Sequence, residues 1–312
     1  MLNISYNISP RLKECLDKVE DLRKDILLNP ISQSLEMSLK WEATFNRVYC
    51  SLKLAGNPLR REDMLNLLLK ATDKKLSRDQ KVVLKYKEAL DYISQNWQGS
   101  QNAVGTQTII DLNKIVSDGT LRIPKAGLQA ILDYLQTERQ SPIVQAAIIY
   151  IEIEKMQLFT KHNDLIAHLA ADLFLHKYGY NLKGFLAYEK AWKDNEKAFR
   201  ENHKRALDIV NLTLWIEYFA ECILGHLEAV FLSMNKAKAT ASNSEKSLWE
   251  LNERQKSVLN SLDQPHASIT NRQVQKRHKI SQITASRDLA RLTKLGCLLP
   301  HGKGRSVRYT RV

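Results

Sequence analysis

Ser141 to Tyr180 reads SPIVQAAIIYIEIEKMQLFTKHNDLIAHLAADLFLHKYGY, and this stretch decides the fold. Ser141 is a favourable helix N-cap, and Pro142 suits the first helical position, where a missing N–H costs nothing. Ile143, Ala146, Ala147, Tyr150, Ile153 and Met156 recur at helical spacing. Thr160 to Asp164 is a polar break. From Leu165 to Lys177 the apolar residues fall on so many faces (Leu165, Ile166, Leu169, Ala170, Leu173, Phe174) that the second helix belongs in a core. The break therefore opens a buried helix, where free N–H groups and the helix dipole favour anions.

Composition sets the frame around this core. A chain of 312 residues, 44% apolar, with 11 glycines and 7 prolines, is expected to fold as a mainly α protein of two domains. Cys15, Cys50, Cys222 and Cys297 are scattered without a CxxC pair, which argues against a zinc site or a disulfide scaffold and suits a reducing cytoplasm. MLNISYNISPRLK has neither the basic start nor the apolar run of a leader, and no uncharged run approaches membrane-spanning length, so no membrane association is expected.

The net charge of +13 is unevenly placed. Residues 251–312 hold 13 Lys/Arg against 3 Asp/Glu, a net +10, whereas residues 1–250 hold 34 against 31. The basic character belongs to the tail and points to a polyanionic partner there.

Upstream, Leu12, Leu16, Val19, Leu22 and Ile26 mark a first helix. A second runs from Glu42 to Leu54 and stops at Ala55-Gly56-Asn57-Pro58. Residues 62–95, 107–117 and 128–135 give further helical patterns. Asn211 to Leu232 is a long helix with an apolar face. KAKATASNSEKS, Lys236 to Ser247, carries no apolar stripe and reads as a linker or a fraying helix end.

In the tail, Leu251 to Leu262 predicts a helix and Ala267-Ser268-Ile269 a short strand. Asn271 opens a second helix, His278-Lys279-Ile280 makes the turn, and Ser281 begins a third helix running to Leu295, with Gly296 as its stop. Cys297-Leu298-Leu299 and Ser306 to Tyr309, around a Gly302-Lys303-Gly304 turn, complete a β-hairpin. This is the order of a winged helix-turn-helix domain. Gln282, Thr284, Arg287 and Arg291 are placed on the outer face of the third helix to meet base edges or phosphates, and Lys303, Arg305 and Arg308 on the wing to meet the backbone.

The central stretch resembles the Fic (Fido) family, whose signature HPFxDGNGRxxR joins two helices in this way. Pro142 with Ala146-Ala147 upstream, and the Leu-rich helix ending at Gly179-Tyr180, set the register. The signature histidine falls on Gln157, the proline on Leu158, the phenylalanine on Phe159 and the acidic residue on Lys161. The GNGR turn falls on His162-Asn163-Asp164-Leu165 and the last arginine on His168. Only Phe159 and Asn163 are retained. Asn211 onward, with its LTLWIEYF opening, is similar to the family's closing helix. The family's inhibitory [S/T]xxxE[G/N] motif is matched by Ser51 and Gly56, with Ala55 in place of the glutamate.

What the resemblance implies is a Fic-like helical domain without its chemistry. A carboxamide at 157 cannot act as the general base that the family's histidine supplies. Lys161 places a positive charge where a carboxylate would hold Mg²⁺. His162, Asp164 and Leu165 add bulk, negative charge and an apolar group where glycines would let backbone N–H groups approach phosphates. His162 is the one candidate for a displaced base; His168 and His176 are expected as buried histidines. Too little chain lies between Asp118 and Pro124 for the family's target-docking β-hairpin flap.

The domains are accordingly an N-terminal helical region (1–100), a Fic-like core (101–235), a linker (236–250) and a winged helix (251–312). The favoured reading is a catalytically degenerate DNA-binding or signalling regulator, with duplex DNA as the expected partner, the Fic-like part as a dimerisation or ligand-sensing platform, no metal site and no cofactor. One alternative is an active protein adenylyltransferase with unconventional residues, needing ATP and Mg²⁺. Another is an interaction partner or inhibitor of an intact Fic enzyme.

Overall fold

The computed structural model describes residues 4–69, 76–117, 119–122, 125–137, 140–248, 251–262, 267–294, 297–301 and 307–311. The chain divides into two compact units, residues 1–32 with 36–232 and residues 33–35 with 233–312.

The first unit is helical. It contains α1 (Pro10–Leu28), α2 (Gln33–Leu54), α3 (Arg61–Leu69), α4 (Arg78–Trp97), α5 (Thr106–Val116), α6 (Lys125–Thr137), α7 (Pro142–Met156), α8 (Asn163–Lys177), α9 (Glu189–Asp194), α10 (Glu196–Asp208) and the start of α11 (Thr213–Leu248). Helices α7 and α8 form its centre, and every residue of α8 except Asp164 is buried. The caps explain the boundaries. Ser141 accepts from Ile143 N ahead of Pro142, and α8 ends where Tyr180 N returns to Leu175 O at 2.7 Å around Gly179 at φ 73°. Trp215 of α11 is buried and donates its indole N–H to Ala147 O at 2.8 Å, fastening α11 to α7.

Helix α11 continues through Leu248, so Lys236 to Ser247 is helical and not an extended linker. Alanine, lysine and glutamate hold a helix without any apolar stripe.

The second unit contains α12 (Glu253–Asn260), β1 (Ser268–Thr270), α13 (Asn271–His278), α14 (Gln282–Lys294), β2 (Leu298–His301) and β3 (Arg308–Arg311). The strands form one antiparallel sheet in the order β1-β3-β2, with Ile269 opposite Tyr309 and Leu299 opposite Thr310. Val258, Leu259, Val274, Ala285, Leu289 and Leu292 build its core. Thr270 caps α13, and Ser281 accepts from Thr284 N at 3.2 Å to start α14. Gly296 and the turn 302–304 lie outside the described residues.

The four cysteines are free. Among the described residues no helix is long and apolar enough to cross a membrane.

Candidate functional site

Helix α7 stops because Gln157 turns into the left-handed region at φ 47°, its N–H still bonded to Ile153 O. His162 takes the same conformation at φ 58° as the residue before α8. Between these turns, Asn163 organises the loop. Its Oδ1 accepts from Phe159 N at 2.8 Å and its Nδ2 donates to Phe159 O at 2.7 Å. Nδ2 also lies 3.4 Å from Gln157 Oε1. Leu158 and Phe159 are buried, and Gln157 and Lys161 are exposed.

The start of α8 carries its own anion. Asp164 Oδ1 accepts from Leu165 N at 2.8 Å, and burial pushes the Asp164 carboxyl above its ordinary range, opposed by that backbone bond. Below it lies Glu154, raised to about 7 by burial and then by the Asp164 charge. His203 Nε2 stands 3.8 Å from Glu154 Oε2. Burial holds His203 down at about 4 and His168 at about 3, so both rings are neutral at pH 7. Tyr150 packs between them, 5.2 Å from the His168 ring and 5.8 Å from the His203 ring. His168, expected as a hydrogen-bonded core histidine, is fully buried with Nδ1 unpartnered. The pattern of apolar positions gave no sign of Glu154 and His203, because they reach this place from different helices.

The outer edge of the loop is occupied by the chain itself. Arg122 N donates to Leu158 O at 2.7 Å and Thr160 N to Thr120 O at 3.0 Å, so Leu121 pairs antiparallel with Phe159. Asn113 Nδ2 and Ser117 Oγ hold Gly119 from the α5 side. The segment expected only to be too short for a flap thus forms an isolated antiparallel bridge at Leu121; Asp118, Ile123 and Pro124 lie outside the described residues.

Ser51 is buried within α2, and Ala55 and Gly56 form its C-terminal stop. Ala55 N bonds to Ser51 O, Asn57 N to Leu52 O, and Gly56 takes φ 82°.

These residues do not fit a magnesium-bound nucleotide triphosphate. A hard cation wants carboxylate oxygen where Lys161 stands, and phosphate oxygens at the start of α8 would meet the Asp164 carboxylate. Among the described residues no group of three or more His, Cys, Asp or Glu could hold a metal ion.

Comparison with solved structures places this arrangement. A Fic family protein from Desulfovibrio desulfuricans G20 superposes with TM-score 0.66 at 13% identity, over 100% of this chain and 98% of that one. The fold is the Fic fold. A fragment of Fic-1 from C. elegans matches with TM-score 0.56 at 19% identity, over 73% of this chain and 73% of that one. A Fic domain containing signaling protein from Bacteroides thetaiotaomicron VPI-5482 matches with TM-score 0.52 at 16% identity, over 72% and 97%. No family model and no curated protein sequence matches the chain. The likeness is therefore one of fold, at 13–19% identity.

In the second unit, Gln282, Arg287 and Arg291 are exposed on α14 and Arg308 on β3. Thr284 is half-buried at the start of the helix, its hydroxyl 2.9 Å from Ser281 Oγ. Lys303 and Arg305 lie outside the described residues. The basic residues of α13 carried no sequence signal of a site: exposed Arg272 and Lys276 line, with Arg308, a depression of about 450 Å³. Asp288, by contrast, is buried and accepts from Arg254 Nε at 2.5 Å and Gln255 Nε2 at 2.7 Å.

Proposed function

We propose that the chain is a catalytically degenerate Fic-fold protein that acts as a DNA-binding regulator through residues 251–312. The observation that carries the reading is the charge arrangement of this tail. The two acidic side chains among its described residues are already engaged, Glu253 with Lys256 at 3.0 Å and Asp288 with Arg254, while Arg272, Lys276, Arg277, Arg287 and Arg308 stand exposed. Such a surface neutralises phosphates and releases their counterions. The order helix, strand, helix, helix, strand pair supports a winged helix-turn-helix, with α14 as the helix that reads the major groove.

The central loop supports loss of nucleotidyl transfer. Base, metal ligand and phosphate nest are replaced together, and the loop edge that a target peptide would join is taken by Thr120 to Arg122. In this reading the Fic-fold unit uses neither ATP nor Mg²⁺.

Gel-shift titration of the full chain with duplex DNA at two salt concentrations tests the proposal. Binding that weakens steeply with salt is expected. Salt-insensitive or undetectable binding would replace it with the protein-interaction reading.

A further inference from the structure

At the end of α8 remote from the loop, α2, α4 and the turn after α8 enclose a second cavity of about 410 Å³, within the size range of small-molecule sites. Arg47 of α2 lines it, only 5% exposed, with Nε unpartnered. The nearest carboxylate oxygen recorded for its guanidinium is Asp172 Oδ2 at 3.9 Å, beyond hydrogen-bond range. Asn181, equally buried, spends its amide N–H on Gln98 Oε1 and leaves Oδ1 without a donor. His176 lies 2.8 Å from Asp172 O through Nδ1. A carbonyl only accepts, so the proton is on Nδ1, and burial keeps the ring neutral with a pKa of about 3, leaving Nε2 as an acceptor.

The remaining charges are unequal. Asp91 is the carboxylate of the lining, and it is held by Lys87 at 2.6 Å. Lys40 and Lys183 stand exposed at the rim. Lys40 makes an i,i+4 surface pair with Glu36, a contact worth little in water and easily exchanged. A buried guanidinium with spare donors favours a planar or tetrahedral oxyanion. Unpartnered buried acceptors favour hydroxyl donors on the same ligand.

We propose that this cavity binds a small polyhydroxylated organic phosphate, its phosphoryl group on Arg47 and Lys183 and its hydroxyls on Asn181 Oδ1 and His176 Nε2. The proposal is independent of DNA binding. It gives the Fic-fold unit a ligand at a place the family signature does not reach.

Titration calorimetry of the full chain with glucose 6-phosphate, inorganic phosphate and glucose tests it. Glucose 6-phosphate binds, more tightly than phosphate, and glucose does not. The exposed substitution Lys183→Glu, which leaves the thermal transition unchanged, weakens binding about tenfold or more. Arg47→Met abolishes it, and Arg308→Ala in the basic tail leaves it intact. The proposal is overturned if no heat appears at millimolar ligand, if phosphate binds as tightly as glucose 6-phosphate, or if binding follows Arg308 and ignores Lys183.

Discussion

Asn163 holds Phe159 from both sides, accepting from its N–H at 2.8 Å and donating to its C=O at 2.7 Å. In the register of the Fic resemblance, these are the two positions that match its signature. Their partnership is structural: it closes the loop between α7 and α8 and satisfies two backbone groups of a buried residue.

Asn163→Ala leaves both groups without partners in the interior, at a cost of about 2–4 kcal/mol. Asn163→Asp keeps the acceptor and costs less. Urea unfolding of the two variants checks the order, and a loss below about 0.5 kcal/mol for Asn163→Ala would show the clamp to be dispensable.

Asp164 is expected to exclude anions from the start of α8. The wild-type chain is expected to show no ATP binding by calorimetry, because a carboxylate a few ångströms from a phosphate costs on the order of kilocalories per mole at intermediate dielectric. Asp164→Gly gains measurable ATP binding and still transfers no AMP, since Gln157 supplies no base. Wild-type labelling from ATP that disappears in His162→Ala would restore the adenylyltransferase alternative.

Glu154 makes stability depend on pH. Its folded pKa of about 7 lies above the ordinary 4.5, so the folded state binds the proton more tightly, and the contribution present below pH 4.5 is lost as pH rises to 7. The upper bound is about 3 kcal/mol. His203, shifted down to about 4, acts in the opposite sense between pH 6.5 and 4. Comparing Glu154→Gln with wild type isolates the carboxyl: the variant melts several degrees higher at pH 8 and within a degree or so at pH 5. Equal melting at pH 8 refutes the assignment.

Asp288 joins α12 to α14 through Arg254 and Gln255. Asp288→Ala removes charge-assisted bonds worth about 1.5–3 kcal/mol apiece and leaves Gln255 buried without its partner. Hydrogen exchange in residues 251–312 should accelerate while exchange in α7 and α8 is unchanged.

Arg308 and Arg287 should fail differently on DNA. Arg308→Ala weakens binding to all sequences and flattens the salt slope by about one unit. Arg287→Ala chiefly lowers discrimination among sequences, by roughly 1–3 kcal/mol for a bidentate base contact. Identical changes in both variants would assign both residues to the phosphate backbone.

Helix boundaries at the centre of the chain were legible because α7 and α8 announce themselves: Ser141-Pro142 opens one, the polar break separates them, and Gly179 closes the second. The element order of the tail was legible for the same reason, through Asn271, Ser281 and the apolar positions between, although the cap of α13 is Thr270. The pairing of Leu121 with Phe159 was not. It depends on backbone groups of a segment whose side chains carry no alternation. The continuation of α11 stood only as an alternative to a linker, since periodicity is silent once the apolar stripe ends. Least visible was Arg47 facing Asp172 and His176: a polar residue inside an apolar helix gives no sequence sign of whether it meets a partner or a cavity.

The left-handed turn at His162 sets what position 162 tolerates. His162 holds a φ of 58°, a conformation that costs a residue with a Cβ about 1 kcal/mol and a glycine nothing. His162→Gly should therefore leave the course of the main chain unchanged, so an anion brought to the start of α8 by that substitution would still meet the carboxylate of the neighbouring Asp164.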